Sequence, residues 1–527
     1  MRLALLLCAA LAATPAISAT PEEAAQRWWR HVETLSGPEF EGRLTGSPGY
    51  DKAAAYVAGQ FQALGLRPAG TQGYLQPIAF KVQRVNPSAS SLALVADGVE
   101  TPLRVGADAT LSARVPPPPG MVEAPLVFIG YGLHLPEVGH DDFAGQDLKG
   151  KIAVYVNGGP AEISAALKSH SRGNETWKAA EAAGAVGLIS IALPKSMEIP
   201  WERSAGLALQ PAMIPADPAL QDVRSPKVSA AFNPAQAEKL FACSGHSFAE
   251  VLALAEASKP VAGFDLKTSL RAKVAVETDQ ATSANVVALL PGTDPKLKAE
   301  HVVLTAHLDH LGPNTSGQGP AYFPGVMDNA SGVASALEVA RELSKAKPKR
   351  SVLFVLVTAE EKGLLGSKYF AERPTVPRPS LVADLNMDMP LPLFPLKSLI
   401  VLGAGESSLG PLAEASARAK GLTLTPDPYP DRNSFIRSDQ YSFIRTGVPS
   451  LSFKFGFTLG TPEAEIEKAW RATRYHGLAD DLTQPVAKAE AVKFNAYLAD
   501  LVLRVADAPA RPAWNADSFF RRFVRQP

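Results

Sequence analysis

Val302-Val-Leu-Thr-Ala-His-Leu-Asp-His310 changes character at its midpoint, from a run suited to a buried strand to a cluster of ligand-type residues at His307, Asp309 and His310. The same change recurs twice. Val352 to Thr358 is followed by Ala359-Glu360-Glu361, and Leu381 to Leu385 by Asn386-Met387-Asp388. Such continuous apolar runs predict central strands covered on both faces. Between the first two runs Val333, Ala336, Leu337, Ala340 and Leu343 recur at helical spacing, so a helix must pack on the sheet. From Asn285 onward, strand and helix alternate, which predicts a layered α/β sheet.

Outward from this segment, the whole chain has 527 residues, 46% apolar, with 52 basic and 52 acidic side chains. That length predicts two or three domains with substantial cores. A net charge of zero gives no general pull toward nucleic acid or an anionic membrane, so neither is expected as a partner. Met1-Arg2, the apolar run Leu3 to Ala13 and the small-residue region ending at Ala19 read as a secretory signal peptide over residues 1–19. No later uninterrupted apolar run reaches the roughly 18 residues a membrane span needs. An exported protein without stable membrane insertion is expected, periplasmic or secreted. Cys8 leaves with the signal peptide, so Cys243 has no intramolecular partner and reads as a half-buried structural cysteine.

Thr45-Gly46-Ser47-Pro48-Gly49 is a turn cluster before a helix in which Ala55, Val57, Phe61 and Leu64 recur. The proline run Pro116 to Pro119 marks a boundary. Beyond it come Leu126 to Gly130, Gly150 to Val156, a helix from Trp177 to Ala183, and Gly184 to Ile191. Four of the nine histidines fall there, at His134, His140, His170 and His246, with no catalytic spacing. The expected organisation is residues 20–120 as the first part of the catalytic domain, 121–265 as an accessory insertion and 266–527 as the main catalytic part.

In open α/β sheets the ligand crevice lies at the carboxyl ends of the strands. The three strand-end clusters therefore converge with Val326-Met-Asp328-Asn-Ala-Ser-Gly332, and Tyr475-His476-Gly477 adds an imidazole from near the C-terminus. Two histidines and at least three carboxylates suit two divalent ions, most naturally zinc. The charges agree: three carboxylates balance the four positive charges of two ions once a hydroxide bridges them. Without metal, so many buried carboxylates would be costly. A metal pair acidifies a shared water and polarises a carbonyl. The carboxylate of the Glu360-Glu361 pair that binds no metal is then free to act as general base, as amide hydrolysis requires.

His307-x-Asp309, Asp328-Asn-Ala-Ser-Gly332, Glu360-Glu361, Asn386-Met-Asp388 and Tyr475-His476 together resemble the co-catalytic zinc peptidases of the M28 family, aminopeptidase type. The resemblance implies a three-layer α/β/α catalytic domain with a mixed central sheet. It implies that His307, Asp328 and Asp388 hold one zinc, and that Asp328 bridges to a second completed by Glu361 and His476. It makes Glu360 the general base acting on a metal-bridged water, and Asp309 the group that orients His307. Tyr475 is implied as a donor to the developing oxyanion. Gln440, in Ser438-Asp439-Gln440, stands where the family commonly has histidine, and Met327 is an unusual neighbour of Asp328 expected to touch the cleft wall. Asp147-Leu-Lys-Gly-Lys-Ile-Ala-Val154 and Ala180-Ala-Glu-Ala-Ala-Gly-Ala-Val-Gly187 resemble a protease-associated domain, implying a mostly-β insertion.

The expected activity is thus an exported di-zinc aminopeptidase acting on peptides. A carboxypeptidase or dipeptidase is the alternative, should two of Arg432, Arg437, Arg445 and Arg474 converge on the cleft to grip a substrate carboxylate. A glutaminyl cyclase would use one zinc and an altered ligand set, and a non-catalytic receptor-like relative would lack ligands; the set here is complete. No Gly-x-Ser-x-Gly elbow and no His-Glu-x-x-His helix occurs, and Gly403-Ala-Gly405 lacks the third glycine of a dinucleotide loop.

Overall fold

A computed structural model describes residues 20–315 and 317–524; the expected signal peptide, residues 1–19, lies outside them. The apolar runs form the middle of a ten-stranded mixed sheet. Along the chain its main strands are β1 (Leu75–Val85), β2 (Ala212–Pro215), β3 (Val276–Leu290), β4 (His301–His307), β5 (Ser351–Val357), β6 (Leu381–Asn386), β7 (Ser398–Leu402), β8 (Thr423–Leu424) and β9 (Ser450–Phe455). They lie in the order β2-β1-β3-β5-β4-β6-β9-β7-β8, and the short strand Arg67–Pro68 pairs with β3. β5, β4, β6 and β9 are mutually parallel, while β3 joins β5 and β7 joins β9 antiparallel.

Every residue of β4 and β5 is buried, as strands covered on both faces require. Alternate side chains enter different cores. Val302, Leu304, Phe354 and Leu356 pack with helices α1 (Pro21–Leu35), α2 (Pro48–Ala63), α3 (Ser331–Leu343) and α6 (Lys488–Asp507). Val303, Leu353 and Val355 pack on the other side with Phe370 of α4 (Leu365–Glu372) and Phe443. Each such buried side chain contributes about 1.5–3 kcal/mol of transfer free energy. The layering is α/β/α, and the remaining helix used below, α5 (Pro462–Thr473), precedes the Tyr475-His476 turn.

A second, eight-stranded sheet has its own core of Leu126, Phe128, Ile152, Val154, Ile189, Leu266 and their neighbours. Its membership differs from the expected edge at 121. Ser91–Ala96, Val99–Leu103 and Ala109–Leu111 belong to it, pairing with strands as distant as Phe264–Lys273, and β2 leaves the expected insertion to pair with β1. Short alternating strands name no partner in sequence, because pairing is decided by long-range packing. Cys243 is exposed, not half-buried, and Met327 packs in the main core instead of on the cleft wall. No helix among the described residues is long and apolar enough to cross a membrane.

Candidate metal centre and catalytic cleft

β4, β5 and β6 are parallel, so their carboxyl ends deliver His307, the Glu360-Glu361 pair and Asp388 to one edge of the sheet. Asp328 joins them from the irregular segment before α3, where its backbone leaves helical geometry (φ −112°, ψ 88°). His476 arrives from the turn after α5. Three residues beside or within this set hold left-handed backbone without being glycine: Ala359 (φ 57°), Met389 (φ 49°) and His476 (φ 52°). Such conformations each cost about 1–3 kcal/mol and persist where the surroundings fix them.

The Asp328 carboxylate is divided between two imidazoles. Its Oδ1 lies 3.2 Å from His307 Nε2, and its Oδ2 lies 3.2 Å from His476 Nε2. Each ring nitrogen also meets a second acid: Asp388 Oδ1 at 3.4 Å from His307, and Glu361 Oε2 at 3.3 Å from His476. The arrangement gives two donor sets sharing one carboxylate. Burial alone would push His307 and His476 toward neutrality. The adjoining acids outweigh it, raising His307 well above its ordinary value and His476 to about 9. The carboxylates thus draw positive charge onto both rings, and apart from those ring nitrogens Asp328 Oδ2 and Asp388 Oδ1 are buried without a hydrogen-bond partner. This donor chemistry fits a divalent cation at each set.

His310, read as structural or cleft-lining, places Nδ1 2.8 Å from Glu361 Oε1 and orients that carboxylate. Asp309 orients His307 by a different route from the one expected. The imidazole Nδ1 sits 3.0 Å from the Asp309 backbone carbonyl, while the Asp309 carboxylate accepts the backbone N–H groups of Glu360 (3.0 Å) and Glu361 (3.3 Å) and the hydroxyl of Thr45 (3.0 Å). The carboxylate therefore shapes the Glu360-Glu361 turn. Asp480 does the same for Asp328, accepting the N–H groups of Met327 and Asp328 at 3.0 Å. Buried Arg43 ties the loops together by donating to the carbonyls of Leu308, Leu35, Pro324 and Gly325.

The Asp328-Asn-Ala-Ser-Gly332 pattern has a local explanation. Asn329 donates to the Met387 carbonyl (2.9 Å) and accepts from Gly332 and Met389, strapping the Asp328 segment to the Asp388 segment. A Cβ on Gly332 would fall 2.2 Å from Asn329 Oδ1, so only glycine fits. Gln440, in place of histidine, accepts from Asn386 Nδ2 at 2.7 Å and donates to the Phe435 carbonyl.

These residues open onto a cleft of about 230 Å³ that Glu360 and Tyr475 also line. Burial raises the Glu360 carboxyl well above its ordinary value; nearby His307 opposes this and Glu361 adds to it. Burial, with Asp328 and Glu361 close by, likewise holds the proton on the Tyr475 phenol. Of the four arginines singled out in the sequence, Arg432 and Arg437 line the cleft, whereas Arg474 turns to the Ala479 carbonyl and Arg445 borders a different cavity. Sequence reading missed Arg114, Glu198, Lys454 and Arg471 in the lining. Lys454 carried a signal: a charge inside the buried strand β9.

Residues 285–502 match the model of Peptidase family M28. A probable leucine aminopeptidase 2 of Aspergillus fumigatus is 31% identical over 182 residues, 33% of each chain. The corresponding protein of Aspergillus oryzae is 27% identical over 262 residues, 47% of this chain and 50% of that one. The chain thus spans a third to a half of the length of these curated relatives. Among solved structures, an aminopeptidase from Aneurinibacillus sp. strain AM-1 is 22% identical with a TM-score of 0.54, covering 95% of this chain and 98% of that one. The shared fold therefore extends across both sheets.

Proposed function

From residues 285–502 belonging to peptidase family M28, we propose that the chain is an exported zinc exopeptidase that binds two ions and removes N-terminal residues from peptides. The observation that carries this reading is the divided Asp328 carboxylate, one oxygen 3.2 Å from each of two imidazoles that each meet a further acid. His307, Asp328 and Asp388 would hold one zinc, and Asp328, Glu361 and His476 the other. When bound, such a pair acidifies a shared water and polarises the scissile carbonyl.

The protein's own groups supply the proton traffic. Glu360 takes the proton of the attacking water and returns it to the leaving amine; an elevated proton affinity suits a base that must also act as an acid. Asp309 keeps Glu360 and Glu361 on their separate courses by capping both backbone N–H groups. The protonated Tyr475 phenol donates toward the oxygen on which negative charge develops. The unit built on the second sheet, read as a protease-associated insertion, bears on access, since Arg114 and Glu198 line the cleft.

The names of the Aspergillus relatives support N-terminal trimming. One observation favours the carboxypeptidase alternative: Arg432 and Arg437 both reach the cleft. A panel of dipeptides blocked at either end, with chelator and with zinc restored, tests the proposal. Chelator-sensitive cleavage lost on amino blocking alone is the expected result. Loss on carboxyl blocking alone would transfer the assignment to a carboxypeptidase, and no cleavage after zinc is restored would overturn both.

A further inference from the structure

The cleft lining carries five cations. Arg114, Arg432, Arg437, Lys454 and Arg471 line the same space as Glu360 and Tyr475. Their counter-charges are unequal. Glu198 pairs with Arg437 and, at 3.4 Å, with Arg471, which also pairs with Glu467. Those two arginines share two carboxylates. Among the described residues no carboxylate lies within 4 Å of Arg114, Arg432 or Lys454. Arg432 lies over the Tyr429 ring at 3.8 Å, Arg114 reaches only the Glu361 carbonyl at 3.4 Å, and Lys454 stands half-buried on β9.

The acids of the metal centre do not cancel these charges. Asp328, Asp388 and Glu361 with a bridging hydroxide carry four negative charges, which two divalent ions would match, and Glu360 adds at most one. Glu198 is the remaining acid of the lining, the one placed to receive an amine. Burial would raise it, but Arg437 and Arg471, with a smaller share from Arg432, overcome that and hold it at about 2. A ligand entering the cleft therefore meets surplus positive charge. A cationic side chain is repelled, and a hydrocarbon one would cover cations without giving them a partner. A carboxylate meets a planar guanidinium already held against an aromatic ring, and an ammonium that lines the same cleft.

We propose that the cleft selects peptides bearing a carboxylate next to the scissile bond, received by Lys454 and Arg432. The proposal rests on the exopeptidase reading above. The carboxylate is either the acidic side chain of the residue removed or the free terminus of a short peptide, and the two sources are separable.

The test uses the full-length mature protein with zinc restored. It compares kcat/KM for Glu- against Gln-p-nitroanilide, and for a neutral dipeptide against its C-terminal amide. One of the two ratios is expected to favour the carboxylate by about tenfold or more, the worth of one charge-assisted contact. The first ratio identifies the side chain as the source, the second the terminus. Lys454→Met and Arg432→Gln should each pull the favoured ratio toward one, and Lys454→Arg should keep most of it. Ratios near one in the wild type, or an equal fall on both members of a pair in the variants, would overturn the proposal while leaving the exopeptidase intact. Failure to cut any of these substrates, or Leu-p-nitroanilide, would overturn the exopeptidase reading itself and the selectivity with it.

Discussion

The loops at the carboxyl ends of β4, β5 and β6 and the unit built on the eight-stranded sheet meet at one cleft but contribute to it by opposite means. The loops bury ionisable groups and fix them from behind: Asp309 caps the Glu360-Glu361 turn, Asp480 caps the Met327-Asp328 segment, and Asn329 joins it to Asp388. Among the described residues, the second unit contributes none of the acids beside His307 and His476. It sends in Glu198, half-buried between two arginines, and the exposed Arg114. It also grips the catalytic turn from outside, since Arg203, from the helix Trp201–Leu207, donates to the carbonyls of Tyr475 and Ala472 at 3.1 Å each. The ligand-type groups His307, Glu361 and Asp388 follow adjacent strands of one sheet, where geometry is set by many neighbours. Groups that adjust the charge of the cleft, Glu198 and Arg114, come from the unit built on the other sheet.

The sharpest way to break this division is to alter chemistry without altering geometry. Glu360→Gln keeps the shape of the turn and the hydrogen bonds from its backbone to Asp309. Turnover should fall by about a thousandfold, the scale of general-base loss, with both metals retained by elemental analysis. Activity within tenfold of wild type would remove Glu360 from the role of base. A smaller effect is expected from the other side of the cleft. Arg203→Ala removes two charge-assisted hydrogen bonds to a turn, worth about 1–2 kcal/mol at a partly exposed position. It should lower kcat/KM by about tenfold with metal content unchanged, because the Tyr475-His476 turn loses its outer support. If kcat/KM is unaltered, the second unit does not position the turn.

The same division explains what was legible in the sequence. Strands buried on both faces must be apolar throughout, so Val302 to Thr305 and Val352 to Val357 announced the sheet, and the abrupt polar residues at their ends announced the site. The supports behind the site were hidden. Asp480 and Arg43 act through backbone N–H and carbonyl groups, which no side-chain pattern marks. The backbone carbonyl that orients His307 belongs to Asp309, yet no side-chain pattern encodes a carbonyl. The second sheet was harder still, because Ser91–Ala96 finds its partner in Phe264–Lys273 and nothing within either strand names the other.

The smallest effect on activity should come from a buried acid that lies in the catalytic layer but outside its chemistry. Glu338 of α3 receives Arg27 of α1 at 2.7 Å and 3.0 Å, lies 3.7 Å from His31, and its side chain is only 6% exposed. Burial would raise its pKa, but His31 and Arg27 outweigh burial and hold it at about 2 against an ordinary 4.5. The folded-state value is the depressed one, so the stabilisation is complete above about pH 4.5 and is lost as pH falls toward 2, for a total of roughly 3 kcal/mol. Glu338→Gln should therefore lower the urea midpoint markedly at pH 7, and the gap to wild type should shrink by more than half at pH 3. Turnover at pH 7 and 25 °C should stay within about twofold, because Glu338 packs against α1 and is absent from the cleft lining. A gap that does not change with pH would show that the loss comes from packing and not from the charge. A fall in turnover as large as that of Arg203→Ala would show that the helix layer and the strand-end loops act as one unit.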